Sequence, residues 1–203
     1  MARPKKTIKA LMEKDREGNI IGERSFFKSL WRTSVTHEND MMRHFPNISN
    51  KRLKMMFRDG WIVRKGKYIT LGKKGEEYLR NSMGMKYKYR TNPTHFKHDL
   101  ILNRRYLQMN EQQRESWHTE TQERHKLQSQ DKYQEMFNHP KWGNPNDKYI
   151  RKNFIPDATV WSEKLQQRIV IEAVTSTYSS TDVDQKCETA RVFYNNHIYL
   201  VRS

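Results

Sequence analysis

The sequence is short of cysteine, of long apolar runs and of acid. Its single cysteine, Cys187, excludes an intrachain disulfide and any cysteine-rich zinc centre. No apolar run approaches bilayer length and the first residues lack the core of a signal peptide, so no membrane partner and a cytoplasmic location are expected. Only 34% of residues are hydrophobic, which restricts the chain to small cores, although the 11% that are aromatic bury large areas each. The 203 residues allow one large domain or two small ones. The shortage of acid is local. Residues 1–97 hold 24 Lys+Arg against 9 Asp+Glu, a net of +15, whereas residues 98–203 hold 15 against 14, a net of +1. A basic half suits a polyanion, and a near-neutral half suits a different task. A membrane surface or a ribosome would also attract the basic half.

The basic half shows helical spacing in three places. After a basic start (Lys5, Lys6, Lys9) and a Gly18-Asn19 turn signal, Ser25–Arg32 places Phe26, Phe27, Leu30 and Trp31 at helical intervals. His37–Phe45 is a second, short helix, ended by Pro46-Asn47. Ser49 or Asn50 caps a third, running to Arg58, with Leu53, Met56 and Phe57 on one face and Lys51, Arg52, Lys54 and Arg58 largely on the other. Trp61–Arg64 and Tyr68–Leu71 then form a hairpin whose Lys65-Gly66-Lys67 tip is basic, and a last helix covers about 73–82. This order, with Gly60 to Leu79 as its most specific stretch, resembles the winged helix-turn-helix family. The resemblance implies that residues 1–82 bind double-stranded DNA. Lys51, Arg52, Lys54 and Arg58 would lie on the helix that enters the major groove, and Lys65 and Lys67 on the wing beside the backbone.

Residues 83–97 have weak periodicity and a Pro93 break, and read as a basic linker in which Tyr87 and Tyr89 alternate with Lys86, Lys88 and Arg90. His98 to about Glu115 is an amphipathic helix, Trp117–Leu127 is ambiguous, and 128–150 reads as a long polar loop. Two apolar strands follow, Phe154–Trp161 and Arg168–Thr175, each containing one carboxylate, Asp157 or Glu172. Asp182 caps a helix to about Tyr194, with Val183, Ala190 and Phe193 inward, and His197–Val201 is a last strand. A helix between two neighbouring strands implies a parallel crossover. The fold class expected is α+β, with the order α-β-β-β-α-β in residues 98–203.

A carboxylate inside an apolar strand is costly unless something pairs with it, and two on neighbouring strands suit a shared divalent cation. Strand order, Pro156-Asp157-Ala158, and Glu172 in an apolar strand resemble the PD-(D/E)xK nuclease superfamily. With His98, Trp117-x-x-Glu120, Lys186 and Phe193-Tyr194, the chain resembles the replication-relaxation family of plasmids, phages and integrative elements, which also carries a winged helix in front.

The resemblance implies a metal-dependent DNA endonuclease or nickase acting in replication or transfer. Asp157 and Glu172 would ligate Mg2+ or Mn2+ with a backbone carbonyl near Ala173. Glu120, on the first strand, would be a third acidic group, and Lys186 would orient water or steady charge. The partners left open are a second copy of the chain and replication or transfer proteins. The sequence departs from the superfamily at Val174, where its signature lysine would stand. That departure favours a second reading, a non-catalytic DNA-binding regulator or replication accessory factor. Of the histidines, His98 reads as a helix cap in preference to a phosphate contact. His118, His125 and His139 read as solvated polar residues in preference to a zinc set.

Overall fold

The helix foreseen from Phe26, Phe27, Leu30 and Trp31 forms, because all four side chains find cover at once. The computed structural model describes residues 23–90, 93–137 and 154–202 and divides into two compact units, Met1–Lys86 and Tyr87–Ser203. Lys5, Lys6, Lys9, the Gly18-Asn19 turn signal, His139 and the turn formers of 138–150 lie outside the described residues. The molecule is α+β, with helices beside two small sheets. No described helix is long and apolar enough to cross a membrane.

The first unit runs α1 (Glu23–Thr33), β1 (Val35–His37), α2 (Glu38–His44), α3 (Asn50–Arg58), β2 (Ile62–Lys65), β3 (Tyr68–Leu71) and α4 (Lys73–Asn81). Phe26, Phe27, Leu30 and Trp31 of α1 are at most 1% exposed, and burying each contributes about 1.5–3 kcal/mol. Ser49 settles the start of α3: its hydroxyl accepts from the Arg52 amide at 3.2 Å. The three-stranded sheet, ordered β1-β3-β2, is antiparallel. β1 is three residues long, too short for its period to register in the sequence. β2 and β3 meet through a two-residue turn in which Gly66 takes φ +62°, the positive value this tight connection needs. A Cβ on Gly72 would lie 2.4 Å from the Gly60 carbonyl oxygen, so the entry to α4 can press onto the end of α3 only without a side chain there.

The second unit begins earlier than expected. Residues 83–90 have no regular structure, yet Tyr89 is only 4% exposed, and the Thr119 and Thr121 hydroxyls donate to the Tyr87 and Lys88 carbonyls. The segment read as a linker is therefore partly built into this unit, from Tyr87 onward. α5 (Phe96–Gln108) stops at Met109, because Asn110 starts a new helix, α6 (Glu111–Glu115), through a reciprocal cap with Gln113. The ambiguous stretch resolves into a two-residue strand, β4 (His118–Thr119), and a helix, α7 (Glu120–Gln128), whose cap is the Thr119 hydroxyl. The polar stretch after it contains α8 (Asp131–Phe137), ordered by burial of Tyr133 and Met136 against Leu127, Phe154 and Ile155.

β5 (Ala158–Ser162) and β6 (Gln167–Val174) follow, then α9 (Ser180–Phe193) and β7 (Ile198–Arg202). The sheet order is β4-β5-β6-β7; the first two pairings are antiparallel and the last is parallel, with α9 as the crossover. α9 is capped by Ser179, with Asp182 reaching back to the Ser179 amide.

Candidate functional site

The register of β5 on β6 decides where the carboxylates go. Ala158 faces Ile171, so one step further Asp157 lies across from Glu172. Side chains alternate along a strand, which puts Glu172, Val170 and Arg168 on one face of β6. α9 covers that face with Lys186 and Ala190, and Tyr194, the residue capping its C-terminus, continues the same stripe. Lys186 is thus brought over Glu172. Its ammonium lies 3.0 Å from Glu172 Oε2 and 3.5 Å from Asp157 Oδ1, and it donates to the Ile155 carbonyl at 2.7 Å. Only 4% of Lys186 is exposed, although a solvent-facing helix lysine was the plainer expectation.

Asp157 Oδ2 accepts from the Ala173 amide at 2.9 Å and from His98 Nε2 at 3.1 Å. His98 is not a cap. α5 is capped at His95 with no side-chain bond, and His98 sits inside the first turn between Asp157 and Asp99, whose Oδ1 is 3.2 Å from its Nδ1. The Tyr178 ring stacks on it at 6.2 Å with an interplanar angle of 3°. Glu172 is the odd member. The Lys186 contact has ion-pair distance without hydrogen-bond geometry, and both Glu172 oxygens are buried without a hydrogen-bond partner among the described residues.

The charges follow from these contacts. Burial alone would raise the Asp157 carboxyl, but Lys186 and His98 outweigh it and hold the group well below the usual carboxylate range. Burial would depress His98; the Asp157 charge and the bonds to both aspartates instead lift it to about 10. Burial likewise works against the Lys186 ammonium, and Asp157 and Glu172 more than compensate, raising it above an ordinary lysine. For Glu172, burial and then the Asp157 charge act together and push the carboxyl well above its usual value, with Lys186 only partly opposing. The cluster sets an ionised Asp157 between two cations, beside Glu172, whose charged form burial and the Asp157 charge disfavour.

Mg2+ asks for few protein ligands, one or two carboxylates completed by carbonyls and water. Asp157, just before β5, and Glu172 on β6 supply hard oxygens side by side, and the Glu172 oxygens, which make no regular hydrogen bond among the described residues although Lys186 lies 3.0 Å from Oε2, are what such an ion would use. The residues present therefore fit a divalent cation. No group of three His, Cys, Asp or Glu side chains among the described residues is arranged to hold a metal, so the fit rests on this pair. Val174, two residues beyond Glu172, shares its face of β6; a lysine there would point to the side that Lys186 reaches from α9.

Glu120 departs from expectation. It is the first residue of α7 and not a strand residue, and its carboxylate pairs with Arg124. Sequence reasoning missed a second buried cluster outright. Glu123, fully buried, accepts from Thr159 and Tyr194 hydroxyls, each at 2.5 Å, and lies 2.8 Å from His118 Nδ1. Arg168 donates to Thr159 Oγ1 at 2.8 Å and to the Ser116 carbonyl. Glu123 joins residues far apart in the chain, so no local pattern marks it. His118 is spent on this cluster, and His125 lies against Tyr87.

In the first unit, Lys51, Lys54 and Arg58 are exposed and line a shallow depression on α3 with Met55. Lys65 and Lys67 are exposed at the hairpin. Arg52 differs. Its guanidinium makes a two-bond contact with Glu23, at 2.7 and 3.0 Å, with 15% of its side chain exposed. It clamps α3 to the start of α1 instead of facing outward.

Comparison with protein-family models, curated proteins and solved structures returned no match. The class therefore stands on geometry alone: a two-unit α+β protein in which one unit has a basic helix face and the other a buried pair of carboxyl groups bridged by a lysine.

Proposed function

We propose that this is a DNA-binding protein of a mobile genetic element or phage, and that its second unit is a metal-dependent DNA endonuclease or nickase of the PD-(D/E)xK type related to the replication-relaxation family. The observation that carries the reading is the meeting of Asp157, Glu172 and Lys186, drawn from the bend just before β5 (where a strand from Phe154 was expected), from β6 and from the crossover helix. With α6 before β4 and with α7 and α8 between β4 and β5, the order of the remaining elements, α5-β4-β5-β6-α9-β7, supports it, as do the antiparallel pairings of β4-β5-β6 and the parallel last strand. Asp157 and Glu172 would hold Mg2+ or Mn2+, which would polarise the scissile phosphate and acidify a bound water. Lys186 steadies negative charge beside them, in the role the signature lysine would have had at Val174.

The helical order and three-stranded sheet of the first unit support a winged helix. Lys51, Lys54 and Arg58 would meet the duplex from α3, and Lys65 and Lys67 from the hairpin. Arg52 drops out of that set because Glu23 holds it.

One observation favours a non-catalytic reading. The Lys186 ammonium already touches both carboxyl groups, and a lysine fixed there permanently would leave a DNA-binding accessory factor with a nuclease ancestry. Incubation with supercoiled plasmid and Mg2+ or Mn2+ separates the two. The nuclease reading expects open-circular or linear product from the wild type and none from Asp157→Ala. Intact DNA binding without product at any metal concentration would leave the accessory-factor reading.

A further inference from the structure

The two oxygens of Asp157 are not equivalent. Oδ2 takes two donors, the Ala173 amide at 2.9 Å and His98 Nε2 at 3.1 Å. Oδ1 lies 3.5 Å from Lys186, the longest of that ammonium's contacts, with Glu172 beside it. Lys186 is held closely by the Ile155 carbonyl and Glu172, and so steadies the Glu172 side of the pair. Something else must fix Asp157.

His98 is built for that. It leaves α5 within the first turn, and its ring is restrained on three sides. Asp99 holds Nδ1 at 3.2 Å, and Asp99 Oδ1 in turn accepts from the buried Tyr89 hydroxyl at 3.2 Å. The Tyr178 ring lies parallel at 6.2 Å, with its hydroxyl 3.4 Å from Nε2. Asp99 is 1% exposed and Tyr89 4%, so this chain of contacts is a fixed part of the interior.

We infer that His98 is a positioning residue: with the Ala173 amide it occupies Asp157 Oδ2 and turns Oδ1 toward Glu172 as the oxygen offered to a divalent cation. The inference rests on the metal-site reading above. It adds that α5 and the Tyr87–Arg90 segment take part in that site, through Asp99 and Tyr89. Outer partners of this kind fix the orientation of a ligand, and losing one typically costs about 10–100-fold in metal affinity.

Mn2+ titration followed by electron paramagnetic resonance tests it on the full chain, with thermal melts in parallel. His98→Leu keeps bulk and removes the donor; His98→Gln keeps an N–H donor near the place of Nε2. The inference expects Mn2+ binding about 10–100-fold weaker in His98→Leu and largely recovered in His98→Gln, with duplex affinity unchanged in both. Asp99→Asn leaves His98 in place but loosens it, and should weaken Mn2+ several-fold; it decides the matter should His98→Leu fail to melt cooperatively. A folded His98→Leu or Asp99→Asn protein that binds Mn2+ like the wild type overturns the inference alone, as does a His98→Gln protein no better than His98→Leu. A wild type that binds no Mn2+ overturns the metal-site reading together with it.

Discussion

Two polar clusters are buried on the same face of the same sheet, and they are finished differently. Along β6, Glu172, Val170 and Arg168 share a face, and along α9 and its C-cap Lys186, Ala190 and Tyr194 lie over it. Val170 and Ala190 make an apolar spacer between the ends. At one end Glu123 is surrounded by donors: Thr159, Tyr194 and His118 bond to it, with Lys126 and Arg168 within ion-pair reach. At the other end Glu172 is equally buried, with Lys186 3.0 Å from Oε2 and Asp157 beside it, yet neither of its oxygens makes a regular hydrogen bond among the described residues. A satisfied cluster in a core braces the fold, whereas an unsatisfied one costs stability and needs another reason to exist. The opposite pKa shifts express this contrast. The bonded Glu123 carboxyl is held down to about 2, against the burial that would raise it, while burial and Asp157 drive Glu172 the other way.

The sharpest way to break the comparison is to remove one carboxylate from each end. Glu123→Leu leaves three donors, Thr159, Tyr194 and His118, unmatched and should cost about 3–5 kcal/mol, read as a lowered denaturant midpoint of the second unit. The pH dependence should follow the same end. Glu123 has a folded pKa depressed from 4.5 to about 2, so its contribution is present above about 4.5 and fades as pH falls toward 2. The stability gap between wild type and Glu123→Gln, roughly 3 kcal/mol at neutral pH by this shift, should therefore narrow across that window in acid melts.

At the other end, Glu172→Gln replaces the carboxyl by a neutral group of the same shape. It should change stability by no more than about 1 kcal/mol while abolishing Mn2+ binding. A loss as large as that of Glu123→Leu would erase the distinction between the clusters. The smallest expected effect concerns α3 of the first unit. Lys54→Ala should lower duplex affinity evenly across sequences and reduce the salt slope by about 1, whereas Arg52→Ala should act mainly through the melting temperature, because Arg52 braces Glu23.

The sequence showed the parts of the fold that repeat and little of what joins distant segments. The α1 and α3 faces, the hairpin and the crossover helix all carry periodicity or turn signals that a single chain displays. β1 and β4, three and two residues long, are too short for any period, and they exist because β3 and β5 offer edges to pair with. Asp157 and Glu172 were legible as candidates, since charge inside apolar segments is anomalous, whereas Lys186 entered only through the family resemblance. Their meeting depends on register and helix phase, which no local pattern displays. Arg52 and Glu120 show the reverse limit: both had the right residue type for a site, and both are taken by partners that only the folded chain brings near, Glu23 and Arg124.

The most direct measurement is the rate of supercoiled plasmid conversion with Mn2+ for the wild type, Glu172→Gln and Glu123→Gln, at a temperature where all three remain folded. The account predicts conversion by the wild type and by Glu123→Gln, and none by Glu172→Gln. Conversion by Glu172→Gln at the wild-type rate, or no conversion by the wild type while it binds both plasmid and metal, would contradict it.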